Sequence, residues 1–547
     1  MTNRTKLLSK KNVLLFILLS ISAFLNIYGF GWDGGHYLHP DERLYVNASN
    51  IQLPKNLGEF LSPSSPLNPH MFYYGPLPLY LYKLTSILTP FINNFLFSGR
   101  ILSALIMVCA ALVIFHTAKL LFDEKIGFIA LFIFIFSPGI IQHAHFITTE
   151  AILTFFLSLI VYICCLIIKK NRFKLFPLVG LILGLAAASK ITAASFFMIP
   201  LTTFVFLLIT TGKKLRLTLY FIFLLVIFIF SSTILAPYQI IDFSRFNEEQ
   251  RYMQSVVLGL NKPPFVIIYE GTIPYLYQLF RIFPLTFGFV SLPLAVLGFL
   301  MLARKLYRPP RSFLLIVLLI FPLAYFAWSG AWFNKFSRYY ILLIPFLSLF
   351  AAYSLMKFKK NVKIFFLFLI ATNGIVYFTN LYLKPNTRVA ASSWIYGRVS
   401  EKSTIAGEHW DDSLPLPILD EGKDQYYLPE QYNLVSLQVY DQPDDEKKID
   451  LLASQLSQSD YFIISSRRVF YSILRNSKSY PYTSLMYKKL FSGQLGFRLE
   501  KQFTNYPFFI SDDWADESFQ SYDHPPVYIF KNEARFPAEK ISFLIKS

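Results

Sequence analysis

Residues 213–236, KKLRLTLYFIFLLVIFIFSSTILA, open on a cluster of three cations and then run for twenty residues without a charge. A helix needs about 20 apolar residues to cross a bilayer, and the cations belong to the aqueous phase at one end. Apolar runs of this kind recur near 13–30, 100–121, 126–142, 151–168, 175–189, 193–211, 284–303, 312–330, 339–356 and 363–382. A further run at 76–92 is broken by Pro76, Pro78 and Pro90 and reads as a re-entrant or interfacial segment, which leaves eleven spans. Only 15% of the 547 residues are charged, against about 25% in ordinary soluble chains. The alternating short strands of an outer-membrane barrel are absent. The expected fold is a polytopic α-helical membrane protein.

The loops give an orientation. Met1–Asn12, Lys119–Lys125, Lys169–Lys174, Gly212–Arg216, Arg304–Arg311 and Lys357–Lys363 hold 21 Lys/Arg and two acids, Asp123 and Glu124. The rest of residues 31–382 holds 11 Lys/Arg and nine acids. The positive-inside rule then places the N-terminus in the cytoplasm. It also accounts for the net charge of +18 without nucleic acid. The first run, Val13 to Phe30, follows Arg4, Lys6, Lys10 and Lys11 like a signal peptide. It lacks a small-x-small cleavage site and reads as an uncleaved helix. Cys109, Cys164 and Cys165 all fall in apolar runs, so no disulfide framework or metal-ligand spacing is present.

Composition changes near Lys384. Residues 383–547 carry 19 Lys/Arg and 22 Asp/Glu and no span-length apolar run. We read 1–382 as a transmembrane domain, with a first external loop at 31–98, and 383–547 as an extracytoplasmic α/β domain. Within the latter the pattern predicts helices over Val389–Val399 and Lys447–Leu456. It predicts strands near Thr404–Ala406 and Leu434–Val439, an apolar run at Tyr461–Ser465 and β-type runs at Phe497–Phe503 and Val527–Phe530.

With this topology the unusual polar residues share the outer face. The first loop contains His39-Pro40-Asp41-Glu42-Arg43. His143, His145 and Glu150 follow the third span, Lys190 the fifth, and Lys335 and Arg338 the ninth. A carboxylate at a lipid surface is partly desolvated and so becomes a better base. Fixed Lys or Arg beside it would hold a phosphate. The plainer reading of Pro40-Asp41-Glu42 is the first turn of a helix. Neighbouring helical residues diverge by about 100°, so the two acids do not share one task; Asp41 is favoured as base and Glu42 as its orienter or an acceptor contact. Lys190 as a snorkelling side chain and Arg338 as a helix-capping charge are the corresponding plain alternatives.

These stretches resemble the GT-C membrane glycosyltransferases, and more closely glycosyltransferase family 39, the protein mannosyltransferases and bacterial relatives that include the aminoarabinose transferases of lipid A. The resemblance runs in order through His39-Pro40-Asp41-Glu42-Arg43, Phe72-Tyr73-Tyr74-Gly75-Pro76-Leu77-Pro78 and His143-Ala144-His145-Phe146-Ile147-Thr148-Thr149-Glu150. It continues through Gly184-Leu185-Ala186-Ala187-Ala188-Ser189-Lys190 and Arg338-Tyr339 with Pro345. Glu408-His409-Trp410-Asp411-Asp412 and Tyr522-Asp523-His524-Pro525 also look like bacterial members, with fold-forming roles expected. Glu150 departs from the Asp of many relatives.

The resemblance implies an inverting glycosyltransferase, a hexosyltransferase of the cell envelope or of protein glycosylation, multi-pass in the cytoplasmic membrane. Its donor would be a polyprenyl-phosphate-linked sugar, and its acceptor a protein, glycan or lipid hydroxyl. The residues assigned are Asp41 and Glu42 for catalysis, and His39, Tyr74, His143, His145, Glu150, Lys190 and Arg338 for substrate binding. No metal ligand and no required cofactor is assigned, although a divalent metal is compatible with the pattern. Membrane lipid is a partner and nucleic acid is not. The alternatives are a transporter or flippase of lipid-linked sugars and a non-catalytic membrane glycan-binding protein.

Overall fold

The computed structural model describes residues 10–92, 94–307, 314–420 and 425–547. Arg4, Lys6, Arg308 and Arg311 of the basic loops lie outside the described residues. Among the described residues, seven helices are long and apolar enough to cross a membrane: Lys10–Ile27, Phe95–Leu121, Thr149–Lys170, Ile191–Thr210, Lys214–Leu235, Ser337–Leu355 and Lys360–Leu381. Two further pairs are bent, Glu124–Ile135 with Pro138–Ala144 by 63° and Gln278–Thr286 with Ser291–Leu306 by 109°, which makes up to nine spans. Phe173–Ser189 and Leu314–Ser329 are apolar but shorter. Within the described residues each of the eleven expected runs is helical over most of its length, while seven to nine meet the length of a span.

The breaks have local causes. Pro138 cannot donate a backbone hydrogen bond, and the chain turns after Ile135 with Pro138 at the start of the next helix. The second pair bends around Gly288, whose φ of +110° is a conformation open to glycine. The run at 76–92 forms the helix Leu77–Leu88 and a short turn Pro90–Ile92. Where Phe173–Ser189 crosses Lys214–Leu235, Gly180 and Gly184 face the partner closely. A Cβ there would sit 2.3 Å from the Leu224 carbonyl oxygen and 1.9 Å from Ser231 Oγ, as small-xxx-small packing requires.

After Leu381 the chain forms the helix Thr387–Arg398 and a mixed five-stranded sheet. Seven strands follow in chain order: β1 Thr404–Glu408, β2 Ile418–Asp420, β3 Gln425–Tyr427, β4 Asn433–Leu437, β5 Tyr461–Ile464, β6 Phe497–Phe503 and β7 Val527–Asn532. The sheet order is β4-β1-β5-β7-β6, and β2 and β3 form a separate antiparallel hairpin. β1 runs parallel to β4 and β5, whereas β7 is antiparallel to β5 and β6. Side chains alternate between faces. Ile405, Ile463 and Ile529 pack with Ala391 and Ile395 of Thr387–Arg398. Ala406, Phe462, Ile464 and Phe530 pack instead with Ile449 and Leu452 of Glu446–Ser457 and with Ile541 of Ala538–Lys546. The result is an α/β/α sandwich carrying every strand expected from the pattern, plus the β2–β3 hairpin.

One segment between β6 and β7 returns to the helical bundle. Phe519 and Tyr522 are buried in the bundle's own core. Asp523 Oδ2 accepts hydrogen bonds from Tyr377 Oη at 2.8 Å, Tyr382 Oη at 2.9 Å and Gln142 Nε2 at 3.2 Å. His524 lies between Asp523 and Asp512, with Nε2 2.8 Å from Asp512 Oδ2. Burial opposes its charge, but the two carboxylates prevail and raise it to about 10.

A histidine whose folded-state pKa is raised contributes stability that is complete below its unfolded value and is lost as pH climbs through the folded one. The thermal unfolding temperature should therefore fall from about pH 6.5 to about pH 10, with a contribution on the order of a few kcal/mol. Replacing His524 with Asn should flatten that slope in a differential scanning series. An unchanged slope would show that the segment is not held by this charge.

Candidate active site

The first loop is built around a buried arginine. Arg100, near the start of Phe95–Leu121, donates from Nη1 and Nη2 to the two oxygens of Asp33, each at 2.8 Å. It also donates from Nε and Nη2 to the oxygens of Glu42 at 2.9 and 2.6 Å, and to the Phe30 carbonyl at 2.7 Å. All three side chains are inaccessible to solvent. The Ile147 backbone N–H donates to Glu42 Oε1 at 2.9 Å. Burial drives the Glu42 carboxyl above the usual range despite Arg100. For Asp33 burial acts the same way, but the Arg100 charge and hydrogen bonds outweigh it and hold the group low. The clamp fixes the loop against the bundle.

Pro40–Asn47 is a helix that starts on Pro40, with His39 as its N-cap: the Asp41 backbone N–H donates to His39 Nδ1 at 3.0 Å. The divergence between neighbouring helical residues then separates the acids. Glu42 points to Arg100, while Asp41 Oδ2 meets Arg338 Nη1 at 2.5 Å. Arg338 also donates to Tyr522 Oη at 2.9 Å, so the returning C-terminal segment helps hold it.

Two adjoining cavities share Arg338, and Asp41 lines the second of them. The first, about 230 Å³, is lined by Glu150, Lys190 and Arg338 among apolar and aromatic side chains that include Trp328 and Trp332. Lys190 Nζ lies 3.6 Å from Glu150 Oε1 and over the rings of Tyr74 and Tyr339. The second, about 530 Å³, lies between the first loop and the C-terminal sandwich, with Asp41, Arg43, Trp410, Asp412, Arg468 and Glu517 on its walls. Tyr73, Tyr74, Met253 and Arg338 border both.

Tyr74 and Lys190 are brought together by backbone packing. The Gly75 N–H donates to the Ser189 carbonyl at 2.9 Å, and a Cβ on Gly75 would lie 1.9 Å from the Ala188 oxygen. Only glycine allows that approach.

Of the residues singled out from sequence, Asp41, Tyr74, Glu150, Lys190 and Arg338 line the cavities. Glu42, His39, His143 and His145 stand behind these walls. His39 packs on Tyr522 and Phe146, with ring centroids 4.0 and 4.5 Å apart. Burial and the nearby Arg338 lower its pKa well below the ordinary value. His145 stacks on Tyr382 at 3.6 Å, with its ring nitrogens against the Ile141 and Tyr28 carbonyls. His143 is buried, and neither ring nitrogen has a hydrogen-bond partner among the described residues.

Among the described residues no three His, Cys, Asp or Glu side chains are grouped to hold a metal ion. The cavity carboxylates Asp41 and Glu150 are each already matched to a cation. Sequence reasoning missed Arg100, although a lone Arg opening an otherwise apolar run asks for a buried acid partner. Arg43 and Tyr522 stand in stretches quoted above but without a site role of their own, and Arg468 gave no signal, because the place of all three at the cavity depends on tertiary folding.

Residues 74–236 match the family described as dolichyl-phosphate-mannose-protein mannosyltransferase. That segment includes Tyr74, Glu150 and Lys190, while Asp41 and Arg338 fall outside it. The archaeal oligosaccharyltransferase AglB from Archaeoglobus fulgidus, solved with an inhibitory peptide and a dolichol-phosphate, is similar at 14% identity and a TM-score of 0.50. The match covers 94% of this chain and 77% of that one. ArnT from Cupriavidus metallidurans bound to undecaprenyl phosphate is similar at 14% identity and a TM-score of 0.41, covering 95% and 98%. No curated protein matches the chain by sequence. The resemblance to GT-C membrane glycosyltransferases thus extends from short motifs to a family segment and, with AglB, to the fold.

Proposed function

We propose that the chain is an inverting glycosyltransferase that moves a sugar from a polyprenyl phosphate to an acceptor hydroxyl. The observation that carries this reading is the pair of cavities that share Arg338, with Asp41 paired to it on the wall of the second. The apolar cavity suits the lipid phosphate, whose charge Lys190 and Arg338 would balance. The larger cavity, with Asp41, Arg43, Asp412, Arg468 and Glu517 on its walls, suits the acceptor. AglB's dolichol-phosphate and ArnT's undecaprenyl phosphate support a donor of this chemical type.

In this mechanism Asp41 takes the proton of the acceptor hydroxyl as its oxygen attacks the anomeric carbon. The bond to the phosphate oxygen breaks on the far side, and the leaving phosphate stays with Lys190 and Arg338. Before the donor arrives, Arg338 is paired with Asp41. An incoming phosphate competes for the guanidinium and loosens its hold on the carboxylate, so donor binding prepares the base. Glu42 acts through Arg100 to set the loop and does not touch substrate. Tyr74 forms part of the wall between the two substrates, and Glu150 holds Lys190. His39 caps the helix that bears Asp41, while His143 and His145 support the wall behind it.

Residues 1–382 would then form the donor-binding membrane part and 383–547 cover the acceptor cavity, with the 508–524 segment joining them. The basic loops favour a cytoplasmic N-terminus and an extracytoplasmic sandwich. The test is release of labelled sugar from polyprenyl-phosphate donors by the protein reconstituted in liposomes. Donor turnover that depends on the protein is the expected result. A protein that binds or translocates the lipid-linked sugar without ever cleaving it would be a transporter or binding protein instead.

A further inference from the structure

Trp410 lines the acceptor cavity, yet half its surface is exposed, at 51%. Its backbone φ is +76°, a genuine outlier for a bulky residue. The residues on either side explain how this is maintained. Glu408 is buried, and Tyr487 Oη donates to its Oε1 at 2.5 Å. The His409 N–H donates to the Leu437 carbonyl at 3.0 Å. On the other side the buried Arg388 guanidinium holds Asp411 at 2.9 Å and Asp412 at 2.7 Å, and Ser466 donates to Asp411. Arg43, two residues after Asp41, donates to Asp412.

The chain is therefore pinned before and after Trp410, and the strained residue between presents its indole to a cavity mouth. Strain retained by surrounding contacts is a pointer to function. An aromatic face beside carboxylate acceptors and arginine donors is the chemistry that recognises a sugar ring: C–H groups stack on the indole and hydroxyls bond to the charged rim. At about 530 Å³ the cavity has the size of a small-molecule site.

We infer that Trp410 is a stacking platform for a saccharide, so that the acceptor hydroxyl belongs to a glycan rather than to a bare polypeptide. This rests on the proposed assignment of the larger cavity to the acceptor. The test is isothermal titration of the full chain in nanodiscs with maltotriose, mannotriose, triacetylchitotriose and a serine/threonine-rich octapeptide. At least one trisaccharide should bind. Trp410→Ala should weaken it ten-fold or more, and Trp410→Phe should stay within about three-fold of the native protein.

A generally misfolded variant would lose the effect in both substitutions, whereas a stacking platform is rescued by Phe. Binding of the peptide alone, or a trisaccharide affinity indifferent to Trp410→Ala, would overturn the inference. Titration of the native protein with undecaprenyl phosphate in the same nanodiscs reports separately on the donor reading. Lipid binding without saccharide binding sinks this inference and leaves that one standing.

Discussion

Replacing Asp41 with Asn is expected to lower sugar transfer by roughly 10²–10⁴-fold, the scale on which a general base contributes, while the protein stays folded and inserted. Asn keeps the shape of the side chain and the backbone N–H that caps onto His39 Nδ1. It can still accept a hydrogen bond from Arg338, and Arg338 retains Tyr522 at 2.9 Å. What is lost is an oxygen able to take the acceptor's proton. Donor binding should change far less than turnover, because the phosphate is assigned to the cavity on the other side of Arg338. Full transfer by Asp41→Asn would remove Asp41 from the chemistry and move attention to Glu150, the carboxylate that lines the first cavity beside Lys190.

Arg100→Met should damage the fold itself. The substitution leaves Asp33 and Glu42, both fully buried, without the guanidinium that satisfies them. Removing one partner of a buried ion cluster costs about 3–5 kcal/mol. Much of that cost is the charge left behind, so adding Asp33→Asn and Glu42→Gln should recover part of the loss. Fluorescence-detected size-exclusion after a heating series would measure both variants. An Arg100→Met protein as heat-resistant as the native chain would mean that the clamp does not organise the first loop.

The two predictions separate adjacent acids that the sequence presents as a pair. Residues 41 and 42 were distinguishable only by helical geometry, which says that they diverge but not where each one points. The missing element was Arg100, which opens the apolar run 100–121 and carries no partner there that the sequence shows. Periodicity reported the strands of the sandwich well, because β1, β4, β5, β6 and β7 are short apolar or alternating runs between turn residues. Sheet order and the β2–β3 hairpin are set by tertiary pairing, which such runs do not encode.

The bent helix pairs were hidden for a related reason. Hydropathy is continuous across residues 126–142 and 284–303, although the backbone turns by 63° between the helices of the first pair and by 109° between those of the second. The return of residues 508–524 to the bundle was equally silent. Its attachments are hydroxyl, amide and carboxylate contacts between distant residues, such as Tyr377 and Tyr382 with Asp523. At the site, cations and acids in outer loops were legible, and the division into two cavities was not.

In the proposed mechanism donor and acceptor occupy separate cavities that share Arg338, with Asp41 on the acceptor side. A cryo-electron microscopy structure of the protein in nanodiscs with undecaprenyl phosphate tests it most directly. Phosphate density is expected between Lys190 and Arg338, with the lipid chain leaving past Trp328 and Trp332 and Asp41 released from Arg338. Phosphate density in the cavity beside Trp410 and Arg468, with Lys190 still paired to Glu150, would contradict it.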